Sequence, residues 1–573
     1  MDKADSREPQ IQRRLPSTVM QLARMGSMHQ TRLSFMRVLL RRLANEQWTI
    51  ARTRWQVDKT GVGFGVYTAT GPDSSYSLVV FSNDLDPAKR SDRVIAEEWD
   101  ATFTLFDGVP TDADIDRLSH NVPNQEAGRI TERELSLSRA NRSVRLFDYV
   151  RKELAAGRQP DITELEQVGY LMRTTAVYGS GKFGALDRRF IADRPELASP
   201  FQCELLAVYM IRIFSVDIVE HLARCDNPDT AIQLDKNLRR SLGIGNSTGL
   251  GMAPFIVNHP VLFNQWMLAR EEALFRVRSV GQFDQSKFNL LCSLLSRQRA
   301  GVDNWNSEHP LQIEKILVLK NDLRQLSEKL SNKAELSDSF LWDRLYAWAE
   351  EHLSLEGQEC LVTLLIELYP DLVDDLAAFM SVDENSHFKI DGQGSVKSLR
   401  ELIEQRYQFA LQIDFSLNSA NARYWYASEE KLEPRLGERF EEPGAEREHP
   451  LAVARDIKEA WADLKDHSDT DSTAEFLLQY PQHRHVVRRA QQSADHPYSE
   501  IANNLISADM LPIDLLRCKL SYFGAIKFDP RSDRWLRINM FQHAPLPDEL
   551  LNNYNDTWVY PPAGDDASVA VHA

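Results

Sequence analysis

The chain has 573 residues, a formal net charge of −17, 43% apolar residues and 26% charged residues. That balance describes a folded globular protein with room for about two to four structural units, and it excludes a disordered or collagen-like chain. The acidic surplus repels nucleic acid and anionic membrane, so neither is expected as a partner.

The charge is uneven. Residues 1–60 carry twelve Lys/Arg against five Asp/Glu, a surplus of seven that leaves −24 over the rest. Five cysteines (Cys203, Cys225, Cys292, Cys360 and Cys518) lie far apart without a CxxC pair, which argues against a disulfide framework. The start, MDKADSREPQ, lacks the apolar stretch of a signal peptide. The longest apolar run, 205–219, is broken by Arg212 and Asp217 and is too short to span a bilayer. A cytoplasmic location is expected.

Taken in order, residues 1–46 read as a basic arm and helix, with Leu22, Met25, Met28, Leu33, Met36, Leu39, Leu40 and Leu43 mostly at three- and four-residue steps. Its cations suit docking on the acidic body of the same chain or of a second subunit, which makes a homo-oligomer one expectation. Residues 47–108 read as a small antiparallel β region. Segments 63–69 and 76–82 are rich in β-branched and aromatic residues, with Gly71-Pro-Asp-Ser-Ser75 as the turn between them.

Residues 109–432 read as a helical core carrying the candidate site. Helices are expected over 131–156, 161–177 and 200–224, and the last is apolar on most sides. Further helical patterning runs from 260 to 432. Residues 433–509 read as a charged loop and helices. Residues 510–560 read as a helix and a β-hairpin turning at Asp529-Pro-Arg-Ser-Asp533, and 561–573 as a disordered tail. The predicted fold is mainly α with a smaller antiparallel β-sheet (α+β), a multi-helix core and no repeat solenoid.

Two stretches depart from core-and-surface chemistry. The first is Gly243-Ile-Gly-Asn-Ser-Thr-Gly-Leu-Gly-Met-Ala-Pro254, followed by Asn258-His259-Pro260. Glycines let a backbone approach a ligand closely, and Asn246, Ser247 and Thr248 supply short donors for an oxyanion. His259 has the chemistry of a general acid or base. Gly245-Asn-Ser247-Thr-Gly249 matches GxSxG, but a nucleophile elbow requires a strand before the serine, and the pattern predicts a helix there. The same reading excludes a dinucleotide fingerprint. Met252, Pro254, Asn258 and Pro260 echo the Ser-rich loop of the fumarase/aspartase superfamily; the spacing differs and the lysine is missing, so no family follows.

The second stretch is Arg173-Thr-Thr-Ala-Val-Tyr178-Gly-Ser-Gly-Lys182-Phe-Gly-Ala-Leu-Asp-Arg188. It is not a Walker loop, because Ala176 and Phe183 stand where that motif needs Gly and Ser/Thr. Arg173, Lys182 and Arg188 offer positive charge to an anion, and Tyr178 a proton. No HExxH or Cys cluster appears, and neither a metal nor a cofactor is expected.

The expected function is a cytosolic metabolic enzyme acting on a small anionic metabolite by lyase- or isomerase-type proton transfer. His259 or Tyr178 moves the proton. Arg173, Lys182, Arg188, Asn246, Ser247 and Thr248 bind the substrate. The alternative is a non-catalytic helical scaffold that binds a partner through its basic N-terminal helix.

Overall fold

The computed structural model describes residues 10–27, 29–89, 98–124, 131–174, 191, 193–246, 260–305, 310–332, 338–380, 389–412, 426–428, 434–435, 448–450, 453–500, 519–524, 527–529, 537–552 and 554–561. Of the expected tail at 561–573, residues 562–573 lie outside them. The chain forms two compact units. A sheet unit comprises Ser34–Gly249, Leu520–Asp529 and Trp535–Ala573; a helical unit comprises Met1–Leu33, Leu250–Lys519 and Pro530–Arg534.

In the sheet unit, strands β1 (Thr49–Val57), β2 (Gly63–Thr70), β3 (Ser75–Ser82), β4 (Ala101–Asp107), β5 (Glu134–Arg142), β6 (Tyr170–Thr174) and β7 (Gly243–Asn246) lie side by side in sequence order. The sheet is completed by two C-terminal strands, Arg537–Met540 beside β7 and Lys527–Asp529 at the edge. All neighbours are antiparallel except β6 and β7, which run parallel. The sheet is therefore mixed and large, where a small antiparallel one was expected.

Two expected helices account for the difference. Within 131–156, Leu135 and Leu137 alternate with Ser136 and Ser138, and this period of two forms β5; the helix there is confined to Phe147–Ala155. Within 161–177, the helix Ile162–Val168 ends at Gly169, whose φ of 77° is the left-handed conformation that closes helices. The chain then extends as β6.

Both faces of the sheet are covered at β3 and β4, where nearly every residue is buried, whereas β1 is largely exposed. Helices α1 (Phe35–Asn45), α2 (Asp112–Asn121) and α3 (Gln202–Asp226) belong to this unit. Ile115 and Leu118 of α2 pack with Val66, Val79, Phe81, Phe106 and Leu137. On the other face Phe214 of α3 meets Tyr67 and Phe103 at ring-centroid distances of 6.3 and 5.6 Å. The buried Arg212 of α3 donates to the carbonyls of Leu242 (2.7 Å) and Ala544 (2.9 Å), fixing the chain just before β7 and just after its C-terminal neighbour. Burial lowers its pKa to about 10, so it stays charged at neutral pH.

The helical unit contains α4 (Pro260–Arg278), then Gln285–Asp303, Pro310–Ser331, Leu341–His352 and α5 (Leu355–Glu367). Further along, Val396–Arg406, Val453–Leu464, Thr473–Gln479 and Arg484–Asp495 enclose a second core of Leu399, Ile403, Ile457, Phe476 and Val487. A three-stranded sheet with Tyr426–Ser428 at its centre stands where 420–432 was expected to be helical. No helix among the described residues is long and apolar enough to cross a membrane.

The basic arm is not one continuous helix. It is a short helix (Pro16–Val19), a 3-10 turn (Leu22–Arg24) and then α1. Five of its arginines form ion pairs within their own unit. In the helical unit Arg14 pairs with Glu271 and Glu359, both at 2.7 Å, Arg24 with Glu359 at 3.2 Å, and Arg32 with Asp374 at 2.6 Å. In the sheet unit Arg37 and Arg41 pair with Asp556 at 3.1 and 2.8 Å. These five arginines are engaged inside the chain.

Candidate functional site

β6 and β7 carry the roots of both unusual stretches. Arg173 lies opposite Gly245, so Thr174 and Asn246 end neighbouring parallel strands at the same edge of the sheet. Adjacent strands stand about 4.8 Å apart, so Thr174 and Asn246 are neighbours. Arg173 and the backbone of Asn246, which pairs with Ile538, are the two expected site residues within the description. Tyr178, Lys182, Arg188, Ser247, Thr248 and His259 lie outside the described residues.

Two glycines of the first stretch have a different task from the one expected. A Cβ on Gly245 would come within 2.8 Å of Arg173 Cγ and of the Tyr170 ring. One on Gly243 would lie 2.4 Å from the Met540 carbonyl oxygen and 2.7 Å from the Gln542 backbone nitrogen. Both sit inside β7, where the missing side chains make room for neighbouring protein atoms and not for a ligand. The stretch also begins as a strand and not as the end of a helix. Gly243 and Gly245 are therefore ladder residues and not the turn glycines of a dinucleotide loop. The strand that a nucleophile elbow requires before Ser247 is present.

A polar row crosses the sheet here. Residues directly opposite in a ladder share a face, as do alternate residues in one strand. Asn141 of β5 faces Arg173 of β6, Arg173 faces Gly245 of β7, and Gly245 faces Asn539. Asn141, Arg173 and Asn539 are only 5%, 4% and 2% exposed, so the row is buried. Asn141 Oδ1 accepts from the Asp100 backbone N–H at 3.0 Å. The Asn539 amide donates to the Val168 carbonyl at 3.1 Å and to Gln542 Oε1 at 3.0 Å. Gln542 in turn donates to Glu166 at 3.1 Å, and His543 lies 3.3 Å from the same carboxylate.

Sequence reasoning missed Arg139. It precedes Asn141 by two positions and shares its face. Its carbonyl accepts the Thr174 hydroxyl at 3.2 Å, and its guanidinium lies 4.1 Å from the centre of the Trp99 ring. Burial lowers its pKa to about 10, well above neutral, so the group is cationic. The signal that points to it is the serine–leucine alternation leading into Arg139, a strand pattern with a cation on one face.

Among the described residues, no group of three or more His, Cys, Asp or Glu side chains is placed to hold a metal ion. Comparison with protein-family models, with curated proteins and with solved structures finds no match to this chain.

Proposed function

We propose that the chain is an enzyme of small-molecule metabolism that binds a carboxylate- or phosphate-bearing substrate beside the carboxyl ends of β6 and β7. One observation supports the reading. The two stretches richest in glycine and short polar residues continue from neighbouring ends of a parallel strand pair, with the buried cation Arg173 at that edge. Ligands of open α/β sheets bind outside the carboxyl ends of parallel strands. In this reading Arg173, Lys182 and Arg188 supply charge, and Asn246, Ser247 and Thr248 orient the anion through short donors. His259 or Tyr178 moves a proton next to the stabilised oxyanion, in a lyase- or isomerase-type reaction without a cofactor.

The test is thermal unfolding of the full chain in the presence of inorganic phosphate and a series of carboxylates. A ligand at a hundred times its Kd stabilises by about 2.7 kcal/mol, so modest binders register. At least one anion is expected to stabilise the wild type. Arg173→Lys and Lys182→Ala should weaken it about tenfold, the loss of roughly 1.4 kcal/mol of binding, and His259→Ala should keep it. Absence of stabilisation by every anion, or equal stabilisation of Arg173→Lys and Lys182→Ala, overturns the reading.

A second reading, acyl transfer with Ser247 as nucleophile, is favoured by β7 running straight into Gly245-Asn-Ser247-Thr-Gly249. Covalent labelling by a fluorophosphonate that is lost in Ser247→Ala would support it. An unlabelled wild type would remove it.

A further inference from the structure

We infer that His221, Cys225 and the backbone carbonyl of Asp58 form a binding site for a thiophilic divalent cation of the Zn²⁺ class, independently of the anion-site reading. His221 and Cys225 stand four residues apart near the C-terminal end of α3, so both side chains leave the same face of the helix. Cys225 is an exposed free thiol. Its Sγ lies 3.7 Å from His221 Nε2, and the same Nε2 lies 2.8 Å from the Asp58 carbonyl oxygen. Zinc binds thiolate sulfur at about 2.3 Å and imidazole nitrogen at about 2.0–2.1 Å, and a tetrahedral angle between those bonds sets sulfur and nitrogen about 3.6 Å apart. The pair already has that spacing. Only two side chains contribute; the third donor is backbone, and water completes the shell.

The surroundings fix the donors and favour positive charge. A carbonyl only accepts, so Nε2 carries the imidazole proton in this arrangement. The ring is also held by an edge contact with Trp55, 5.5 Å between centroids. Arg52, which lies over Trp55 at 4.7 Å, is paired with Asp217 at 3.1 Å. The Asp58 carbonyl belongs to the turn between β1 and β2. That turn is closed by the Asp58 N–H donating to the Val62 carbonyl (2.9 Å) and the Gly61 N–H donating to the Asp58 carbonyl (3.1 Å). It lies against α3 beside His221, since a Cβ on Gly61 would come within 3.2 Å of the Leu222 side chain. The C-terminal end of this 25-residue helix carries the negative pole of the helix dipole, which favours a cation. Thiolate and imidazole select a borderline-soft metal over Mg²⁺ or Ca²⁺, which take oxygen ligands. On binding, the thiol proton goes to solvent and the imidazole proton moves to Nδ1. Nε2 and the Asp58 oxygen then separate by about 0.6 Å to share the metal. The metal clips the β1–β2 turn to the end of α3.

The experiment titrates the reduced full chain with Co²⁺, whose bond to a thiolate gives a charge-transfer absorption, and then adds Zn²⁺. Wild type is expected to develop the band and to lose it to Zn²⁺. Cys225→Ser should abolish the band. His221→Gln, which keeps a donor for Asp58, should weaken Co²⁺ binding by about tenfold or more, since even the outer partners of a metal ligand cost that much. A second readout needs no variant: Zn²⁺ should slow alkylation of Cys225 by iodoacetamide, followed by peptide mapping so that other thiols do not contribute, and Mg²⁺ should not. Absence of the band in wild type, a band of full strength in Cys225→Ser, a His221→Gln variant that binds as tightly as wild type, or an alkylation rate indifferent to Zn²⁺ overturns the inference.

Discussion

Arg14 shows how much a single side chain of the N-terminal arm carries. It donates to both carboxylate oxygens of Glu271 at 2.7 Å and to Glu359 at 2.7 Å, and all three side chains are buried. Arg270 also pairs with Glu359. Removing one partner of a buried pair leaves an uncompensated charge and costs about 3–5 kcal/mol. Arg14→Met is therefore expected to lower the unfolding free energy in urea by about that amount; a loss under about 1 kcal/mol contradicts the account. The same cluster sets an acid limit. Burial alone pushes the Glu359 carboxyl upward, but Arg14 and Arg270 outweigh it and hold the group at about 2, below its ordinary 4.5. A depressed carboxyl contributes stability that is complete above about 4.5 and is lost as pH falls toward 2. His29, stacked on Trp305 at 5.7 Å, acts in a different window. Burial lowers its pKa from 6.5 to about 4. The folded state favours the neutral ring, so this stability is complete above about 6.5 and is lost as pH falls to about 4. His29→Phe keeps the stack and should flatten the stability profile between pH 6.5 and 4 while sparing the lower limb. An unchanged slope in that interval would show that another group sets it.

At the scale of elements, β7 is the informative strand. Its two glycines meet different obstacles. A Cβ at Gly243 meets backbone at 2.4 Å, which cannot move without breaking the pairing of β7 with its C-terminal neighbour. A Cβ at Gly245 meets side chains at 2.8 Å, which can shift. Overpacking typically costs about 1–3 kcal/mol. Gly245→Ala is expected within that range with a folded sheet and weakened anion binding, because Arg173 is displaced. Gly243→Ala should cost more and impair folding. Thermal unfolding of the two variants checks the order, and Gly243→Ala proving the milder change would contradict it. β2 and β3 were legible in the sequence because β-branched and aromatic residues alternate between turn residues. β6 and β7 were not. Five and four residues are too few to establish a period, and their apolar residues read equally well as the ends of flanking helices. Gly169 was the available signal for the first, a helix stop read as an interior position.

At the scale of the whole molecule, the N-terminal arm belongs to two cores. Residues 1–33 are counted with the helical unit, where Arg14 and Arg24 meet the buried acids Glu271 and Glu359 and Arg32 meets Asp374, and α1 lies in the sheet unit. Deleting residues 1–33 is expected to lower the melting temperature sharply or to yield insoluble protein, because Glu271 loses Arg14 and Glu359 loses Arg14 and Arg24, leaving Arg270 as their one buried cation among these pairs. A truncated chain with an unchanged melting temperature and a lower mass by light scattering would instead favour the scaffold reading. Composition and local pattern by themselves determined the acidic globular character, the α+β class and the long apolar helix, expected over 200–224 and found at Gln202–Asp226. These follow from residue type and short-range periodicity. Only the tertiary structure decided that the sheet is large and mixed, that β6 and β7 are parallel neighbours, and that Arg139, Asn141 and Arg173 share one face. Strand pairing joins residues tens to hundreds of positions apart, and the free energy that selects one register comes from side chains that meet only once the chain has folded.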